Sequence, residues 1–328
     1  MKLKSLIART IIVAGIISIL SCVGTMQIPN PTQPKLSYES PEAYYKALYD
    51  SKTTTPEEFI TAGDSLRAHK NYPLALEAYS EAINYKKNAQ ETVSLVKIRL
   101  RDVHYELGRE YEQKELLNKA RSEYEKILEQ YSDFVPAREG RARILEQGGF
   151  FDKASSDYAF VAKQDSSAGN YKSTAVQGLQ RISVITAQAR KLFAEAQSYY
   201  NTKLYYEAAD VFKQAFTIKP DYIEAKYYYN LSLGRHYLRV KIGEGQWEAI
   251  GKFNDAKAIK PNEPEVYFYL AQAYENKDQY DFKNTIDNYK KVIELAAKSQ
   301  LAKESTQKIK ELTARKEAYD KLFKKIKK

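Results

Sequence analysis

The stretch EAADVFKQAFTIKP, residues 207–220, decides the fold that this sequence specifies. Ala208, Phe212 and Ala215 follow one another at intervals of four and three residues. These intervals keep all three side chains on one face of an α-helix. Pro220 cannot continue a helix, so the segment ends there. The stretch therefore predicts a short helix that buries a face of small and aromatic residues.

The same spacing occurs six times along the chain. The six copies are Ala75-Tyr79-Ala82, Ala120-Tyr124-Ile127, Ala154-Tyr158-Val161, Ala208-Phe212-Ala215, Ala249-Phe253-Ala256 and Thr285-Tyr289-Val292. Upstream of the first four copies, a small residue recurs 12 positions before the alanine, at Gly63, Gly108, Ala142 and Ala196. Polar turns separate each small residue from its copy. The sequence therefore predicts pairs of helices rather than single helices.

These units resemble the tetratricopeptide repeat (TPR) family. The segment YLAQAYENKDQY, residues 269–280, and the stretch at 207–220 are similar to the family consensus. The resemblance covers about residues 56–297. It implies an all-α fold, a right-handed α-solenoid of about six TPR-like helix pairs with a C-terminal capping helix. One pair cannot bury its apolar face alone, so successive pairs stack.

The uneven spacing of the repeats predicts how the chain divides. A short N-terminal helix is expected in residues 39–55, repeats 1–3 in 56–165 and repeats 4–6 in 166–297. Residues 298–328 have apolar positions at helical spacing, with lysines on the other face, and predict a basic amphipathic helix. That helix could cap the last repeat, and its end could contact anionic lipid or an acidic partner.

The N-terminus has the organisation of a secretory signal. Residues 1–21 combine a basic start with the apolar run IIVAGIISIL, and Cys22 is the only cysteine in the chain. The segment ILSC, residues 19–22, resembles the lipobox of bacterial lipoprotein signal peptides. The resemblance implies cleavage before Cys22 and attachment of acyl chains such as palmitate to it. An uncleaved signal anchor is the alternative.

The expected location follows from this N-terminus. Residues 22–38 contain three closely spaced prolines and predict an extended tether between Cys22 and the folded body. Val23 follows the cysteine, where inner-membrane retention is associated with aspartate. We therefore expect a lipid-anchored protein of the bacterial cell envelope, in the outer membrane and facing the periplasm.

The net charge of +10 does not indicate a nucleic-acid partner. The basic surplus lies in residues 1–21 and 298–328, and residues 22–297 carry no net charge. A broad nucleic-acid-binding surface is therefore not predicted. The histidines at 69, 104 and 236 lie in different repeats. We find no catalytic constellation, metal motif or cofactor motif, so no enzyme, metal or cofactor is predicted. The rival hypothesis is an enzyme or ligand-binding protein with a cleft near residues 163–172.

A concave groove is the predicted binding site, because first helices line such a groove in TPR proteins. The slots that the resemblance places inward hold Ile60, Tyr105, Glu139, Phe193, Tyr227 and Phe268, and the polar slots one turn further hold Arg67, Arg109, Arg143, Gln197 and Gln272. Tyrosine and phenylalanine are common at interfaces. The groove could bind an amphipathic helix or an extended peptide. Alternatively, the rings pack against neighbouring repeats or the C-terminal helix.

The resemblances together predict a non-enzymatic, lipid-anchored scaffold that binds another protein at the bacterial cell envelope. Two narrower roles stay open. The protein could be an accessory lipoprotein of outer-membrane protein or pilus secretin assembly, or a partner of a solute-uptake or cell-wall system. The fold alone does not choose between them.

Overall fold

The computed structural model of the chain describes residues 38–51, 54–85, 90–164, 169–239 and 244–326, without the side chains of residue 244 and of residues 323–326. The predicted signal peptide, Cys22 and nearly all of the predicted tether lie outside the described residues. Within the described ranges the chain forms fourteen α-helices and no strand. This confirms the predicted all-α fold.

The helices follow one another through the described residues with short connections. Their bounds are α1 Pro41–Asp50, α2 Pro56–Ala68, α3 Tyr72–Ile83, α4 Gln90–Gln113, α5 Leu117–Gln130, α6 Val135–Gln147, α7 Phe151–Ala162, α8 Gly169–Asn201, α9 Tyr205–Ile218, α10 Ile223–Leu238, α11 Glu244–Ile259, α12 Pro264–Lys277, α13 Phe282–Ala296 and α14 Gln300–Ile326. The six copies of the spacing motif fall on α3, α5, α7, α9, α11 and α13. Each motif therefore belongs to the second helix of a pair, as predicted.

The chain forms two compact units, residues 1–107 and 108–328, and the boundary between them falls inside α4. The predicted division of the repeats at residue 165 stays a prediction. In the first unit, local capping fixes where the helices begin. Ser40 accepts a hydrogen bond from the Ala43 N–H at the start of α1. Thr55 and Glu58 form a reciprocal capping box at the start of α2, which satisfies two otherwise unpaired N–H groups.

In the second unit, each helix from α5 to α14 packs against its neighbours in the sequence. Alternate helices also meet, since α6 contacts α8, α10 contacts α12, and α12 contacts α14. Contact between alternate helices is the pattern that stacked helix pairs produce. The second unit is therefore a continuous stack in which the first helices of successive pairs adjoin.

Four turns inside the helix pairs share one backbone geometry. Each has one residue with positive φ, and these residues are Lys70 (61°), Glu115 (57°), Gly149 (73°) and Lys203 (65°). In the third of these turns the Phe150 N–H donates to the Leu145 carbonyl oxygen at 2.8 Å. This bond closes the last turn of the first helix in the manner of a Schellman motif. The same reversal thus joins the helices of the first four pairs.

The C-terminal helix α14 covers the last pair. Ala302, Ser305 and Leu312 are buried, and the Tyr319 ring lies 4.7 Å from the Tyr280 ring, centroid to centroid. The next described apolar side chain, Leu322, is exposed. The part of α14 up to Tyr319 is therefore the predicted capping helix. Contact of the basic end with lipid or an acidic partner stays a prediction.

Aromatic rings of second helices pack directly on glycines of first helices. An ideal Cβ built on Gly178 of α8 would lie 2.4 Å from the Tyr158 ring of α7. A Cβ on Gly140 would lie 2.6 Å from the Tyr124 ring, and one on Gly108 would lie 2.7 Å from the same ring. Real Cβ atoms essentially never come so close to a ring atom. Glycine is therefore required at these helix contacts for steric reasons.

We predict that Gly178→Ala lowers stability, although alanine is the better helix former. The added methyl group must displace the buried Tyr158 ring, and such overpacking costs about 1–3 kcal/mol. The urea midpoint, followed by circular dichroism, measures the change. Gly251→Ala in α11 is the matched control, because nothing lies within 4 Å of its added Cβ. The control should gain up to about 1 kcal/mol from helix propensity. Equal effects of the two substitutions would contradict the steric explanation.

Candidate interaction surface

The structure places the apolar residues of the predicted groove mainly in helix packing. Tyr227 is 2% exposed and Phe268 is 6% exposed, each within a hydrophobic cluster of the second unit. Ile60 is 9% exposed in the first unit. Side chains that are this buried offer almost no surface to a partner. These three side chains therefore pack against neighbouring helices.

The other two predicted aromatic residues are half-buried. Phe193 lies in a ring cluster, with centroids 5.2 Å from Phe212 and 5.2 Å from Tyr222. Tyr105 is half-buried on α4 in the first unit. The groove role of these residues stays a prediction. The Phe193 contacts show that this ring also holds α8 against α9.

Two of the predicted polar groove residues form ion pairs between helices. In the first unit, Arg67 of α2 donates through Nε and Nη2 to the Glu106 carboxylate of α4, with Nη2 at 2.5 Å. The hydrogen bond to Glu106 raises the pKa of Arg67. In the second unit, Arg143 of α6 donates to Glu112 at 2.8 Å and also pairs with the buried Glu139. Burial opposes the charge of Arg143, but its two carboxylate partners outweigh this and raise its pKa.

The remaining three predicted polar residues keep part of their side chains accessible. Gln197 is half-buried and hydrogen bonds with Tyr228. Gln272 is half-buried on α12, and Arg109 is exposed on α4. These three side chains retain some accessible surface. The packing therefore leaves these three side chains able to contact a partner, whereas the buried rings have almost no surface for such a contact.

A tyrosine, a carboxylate and an arginine form the same relay in three pairs. The tyrosine hydroxyl of the second helix donates to a carboxylate of the first helix, and an arginine of the following first helix pairs with that carboxylate. The relays are Tyr79–Asp64–Arg99, Tyr124–Glu112–Arg143 and Tyr158–Glu146–Arg181, with hydroxyl-to-carboxylate distances of 2.5, 2.7 and 2.8 Å. Each relay satisfies a buried hydroxyl and links two pairs.

The relay around Glu146 predicts a pH-dependent stability. The hydrogen bond from Arg181 lowers the pKa of Glu146, burial opposes this shift, and the Tyr158 hydroxyl adds to it. A lowered pKa means that the carboxylate stabilises the fold above its ordinary pKa of 4.5. That stabilisation is lost as the pH falls through the folded-state pKa.

We predict that Glu146→Gln lowers stability by about 1–3 kcal/mol at pH 7, since charged hydrogen bonds are lost. As the pH falls through the folded-state pKa of Glu146, the wild-type carboxylate gains a proton, so the difference between the two proteins should shrink. Urea midpoints at pH 7 and at a series of lower pH values measure this. Glu195→Gln, at an exposed position of α8, should change stability by less than about 0.5 kcal/mol. A Glu146→Gln deficit that stays constant over the whole acid series would contradict the relay.

The later pairs use a different arrangement around Arg235 of α10. Its guanidinium carbon lies 4.2 Å from the Tyr205 ring centroid, 4.5 Å from that of Tyr269 and 4.9 Å from that of Tyr200. The Tyr200 hydroxyl donates to Glu265 at 2.8 Å. Three aromatic faces around one cation give several favourable cation–π contacts. Arg235 is therefore a half-buried structural residue of the second unit.

A cavity of about 400 Å³ opens between α5, α6 and α7. We call it the arginine pocket. Its lining residues are Arg121, Glu125, Arg138, Arg141, Leu145, Lys153, Ser156 and Asp157. Four of these side chains are cationic and two are carboxylates, so the lining carries a net positive charge. The volume lies in the range of about 300–1,000 Å³ that is typical of ligand pockets.

Asp157 organises the base of the arginine pocket. Its side chain is 4% exposed and accepts hydrogen bonds from Arg141 Nε at 2.7 Å and from Arg138 Nη1 at 3.0 Å. The bond to Asp157 raises the pKa of Arg141. The Arg138 guanidinium also lies 4.0 Å from the Phe160 ring centroid. Both arginines are therefore held in fixed positions.

Sequence reasoning missed the arginine pocket because the groove slots that it considered lie on another face of α6. The predicted groove slots on this helix are residues 139 and 143. Arg138, Arg141 and Leu145 lie three and four residues apart and share the opposite face. The segment PAREGRAR, residues 136–143, contains three arginines, and this cluster could have indicated a basic site on α6.

A second, smaller cavity of about 220 Å³ lies between α9 and α10. Its lining is rich in tyrosine and consists of Tyr206, Ala209, Asp210, Lys213, Tyr229, Leu233 and Tyr237. The Tyr206 side chain is exposed, and its ring centroid lies 5.2 Å from that of His236. This surface is aromatic rather than charged. It differs in chemistry from the arginine pocket.

The described part of the chain contains no group of three side chains suited to hold a metal ion. The His69 Nδ1 atom lies 2.9 Å from the Ser65 carbonyl oxygen, as expected for an ordinary residue at a helix end. The hypothesised cleft near residues 163–172 falls in part on residues 165–168, which lie outside the described residues. Among the helices that the structure describes, none combines the length and apolarity of a membrane span.

Comparison with known proteins finds neither a matching family model nor a matching curated protein. Similar solved structures include the TPR domain of P58(IPK), with a TM-score of 0.38 and 15% identity over 79% of each chain. YrrB, a TPR protein with an unusual peptide-binding site, has a TM-score of 0.28 and 14% identity over 71% of this chain and 99% of its own. The TPR2AB domain of yeast Sti1, in complex with pHSP90, has a TM-score of 0.30 and 14% identity over 80% and 98% of the chains.

All three TM-scores lie below 0.5, so the fold assignment rests on the helix packing within this chain. That packing defines a helical-repeat protein with TPR-like pairs: a small residue of one helix meets an aromatic ring of the next, and the pairs stack in chain order.

Proposed function

We propose that this chain is a non-enzymatic scaffold that is anchored by lipid at Cys22 and binds another protein at the bacterial cell envelope. The signal-like N-terminus, the ILSC segment and the proline-containing tether support the anchoring. The proposed site is the outer membrane, with the repeats facing the periplasm. Helical repeats suit this role because their stacked pairs present a long surface on a self-supporting frame.

The observation that carries the binding role is the arginine pocket. The fold buries or half-buries most of its described aromatic side chains and pairs many of its arginines, yet this pocket leaves charged side chains facing solvent. Solvent-facing charges that are fixed by buried partners are suited to recognition. The second unit therefore has a preformed surface on which a partner can dock.

The chemistry of this pocket also supports a non-enzymatic role. Arginine guanidinium groups stay protonated in proteins and cannot accept a proton as a general base. The buried carboxylate of Asp157 accepts three hydrogen bonds from two arginines. These groups can bind and orient an anion, and they do not provide a nucleophile with an adjacent base.

We predict that a labelled fatty acid supplied to cells marks the wild-type protein and not Cys22→Ala. The thiol is the proposed attachment atom, so the variant has no site for the thioether. The variant should also leave the membrane fraction, because multiple acyl chains provide the stable anchoring. Gel fluorescence and fractionation measure the two effects. Equal labelling of the two proteins would contradict the lipid anchor.

We predict that a photo-crosslinking amino acid at Ser156 captures a partner protein in the native cells. Ser156 is exposed and lines the arginine pocket. The same amino acid at Lys191, an exposed position of α8, is the matched control and should capture much less. Gel shifts and mass spectrometry measure the products. Capture that does not differ between the two positions would contradict a binding role for this surface.

A further inference from the structure

We infer that the arginine pocket binds the carboxylate side chains of an acidic segment of the partner protein. This inference rests on the proposed scaffold function and adds the chemistry of the partner. It concerns the face of α6 that carries Arg138 and Arg141, opposite the predicted groove slots at residues 139 and 143.

The charge of the pocket favours an anionic ligand. Its two carboxylates do not cancel its four cations. The Asp157 carboxylate is buried and bonded to Arg138 and Arg141. Glu125 lies 3.5 Å from Arg121 Nε on the same helix. Two units of positive charge therefore remain for an incoming ligand.

The two fixed arginines retain unused hydrogen-bond donors. Arg141 bonds to Asp157 through Nε and Nη2, which leaves Nη1 without a bond to the described residues. Arg138 donates through Nε to the Ser132 carbonyl oxygen and through Nη1 to Asp157. Its Nη2 therefore also has no bond to the described residues. Guanidinium groups bind carboxylates through paired N–H donors. Because both groups are already ordered, binding costs little additional side-chain entropy.

Two further cations at the pocket are free to adjust. The Arg121 side chain is partly exposed, and its Nε has no hydrogen-bond partner among the described residues. Lys153 is exposed and has no ion pair with any described residue, and its Nζ lies 5.9 Å from the Phe150 ring centroid. Long cationic side chains of this kind can move to meet a ligand carboxylate. We assign Arg121 and Lys153 to the rim of the site.

The size and surroundings of the pocket favour a peptide over other anions. A single inorganic ion would leave most of the 400 Å³ cavity filled with water. Leu145 and the aliphatic stems of Arg121 and Lys153 can also contact the methylene groups of acidic side chains. A nucleic acid needs a basic track for successive phosphates, and residues 22–297 carry no net charge.

The test uses the full chain in detergent and a fluorescent hexaglutamate peptide at low salt, with binding measured by anisotropy. The double variant Arg121→Gln/Lys153→Gln should weaken binding by about tenfold, since two rim charges are lost. The matched control Lys191→Gln/Lys303→Gln removes the same charge from exposed positions on α8 and α14. It should change binding by less than about twofold. Equal affinities of the two double variants would overturn the inference.

A second variant separates binding from folding. Glu125→Gln removes a negative charge from the pocket and should strengthen hexaglutamate binding by about threefold. A damaged fold would weaken binding instead, so tighter binding supports the site. Weaker binding by a Glu125→Gln protein with wild-type circular dichroism would overturn the inference.

Two competitors identify the class of anion. Inorganic phosphate and a six-nucleotide thymidine strand are titrated against the bound peptide under the same conditions. Competition by either one at concentrations below those of unlabelled hexaglutamate would overturn the acidic-peptide assignment. The crosslink from Ser156 does not depend on this assay. If Ser156 captures a protein but hexaglutamate does not bind, the scaffold proposal stands and the inference about acidic segments fails.

Discussion

The contact between an aromatic ring and a glycine sets the geometry on which the helix pairs depend. Tyr124 of α5 lies against Gly108 of α4 and Gly140 of α6, so one ring spaces the first helices of two successive pairs. Any Cβ at either glycine would occupy the place of the ring. This explains why the chain accepts glycine inside long helices despite its cost of about 1 kcal/mol in helix propensity. The buried ring contributes more apolar contact area than two helix faces made only of alanine could provide.

A tyrosine in this position brings a polar requirement with it, because a buried hydroxyl without a partner is costly. In the relays the hydroxyl donates to a carboxylate, and the carboxylate in turn needs a cation, which the next first helix supplies. Where the ring is Phe212 or Phe253, no hydroxyl has to be satisfied, and the relay is absent at these described positions. Arg235 packs among tyrosine rings and also pairs, at 3.6 Å, with Glu265, whose carboxylate accepts from Tyr200, a tyrosine of a first helix rather than of a second helix. The relay thus accompanies Tyr79, Tyr124 and Tyr158, whereas the buried hydroxyl of Tyr289 in the last pair has no hydrogen-bond partner among the described residues.

The sequence predicts the helix pairs well because the spacing of four and three is a local geometric property. It identifies Tyr124 and Tyr158 as buried rings, and the structure confirms both. It does not reveal whether a face meets solvent or the next pair, so it leaves both a groove role and packing against neighbouring repeats open for Tyr227 and Phe268. In the structure both side chains are nearly inaccessible. The arginine pocket was missed for a related reason. Arg141 and Arg143 are two residues apart and point in different directions, and only the packing shows which partners each one meets.

The arginines of the second unit form two groups, which differ in how many of their N–H donors are bonded within the fold. Arg143 and Arg181 bridge the first helices of successive pairs, so replacing them would disturb the stack. Arg138 and Arg141 also pair with a buried carboxylate, but this carboxylate lies in the same helix pair, and each of these pocket-lining arginines keeps a donor that the fold does not use. Lys153, at the rim of the pocket, takes no part in the ion pairs between first helices or in the hydrogen bonds to Asp157. Binding chemistry on this surface can therefore change without altering the ring-and-glycine contacts that hold the pairs together, which is how one helical frame can serve different partners.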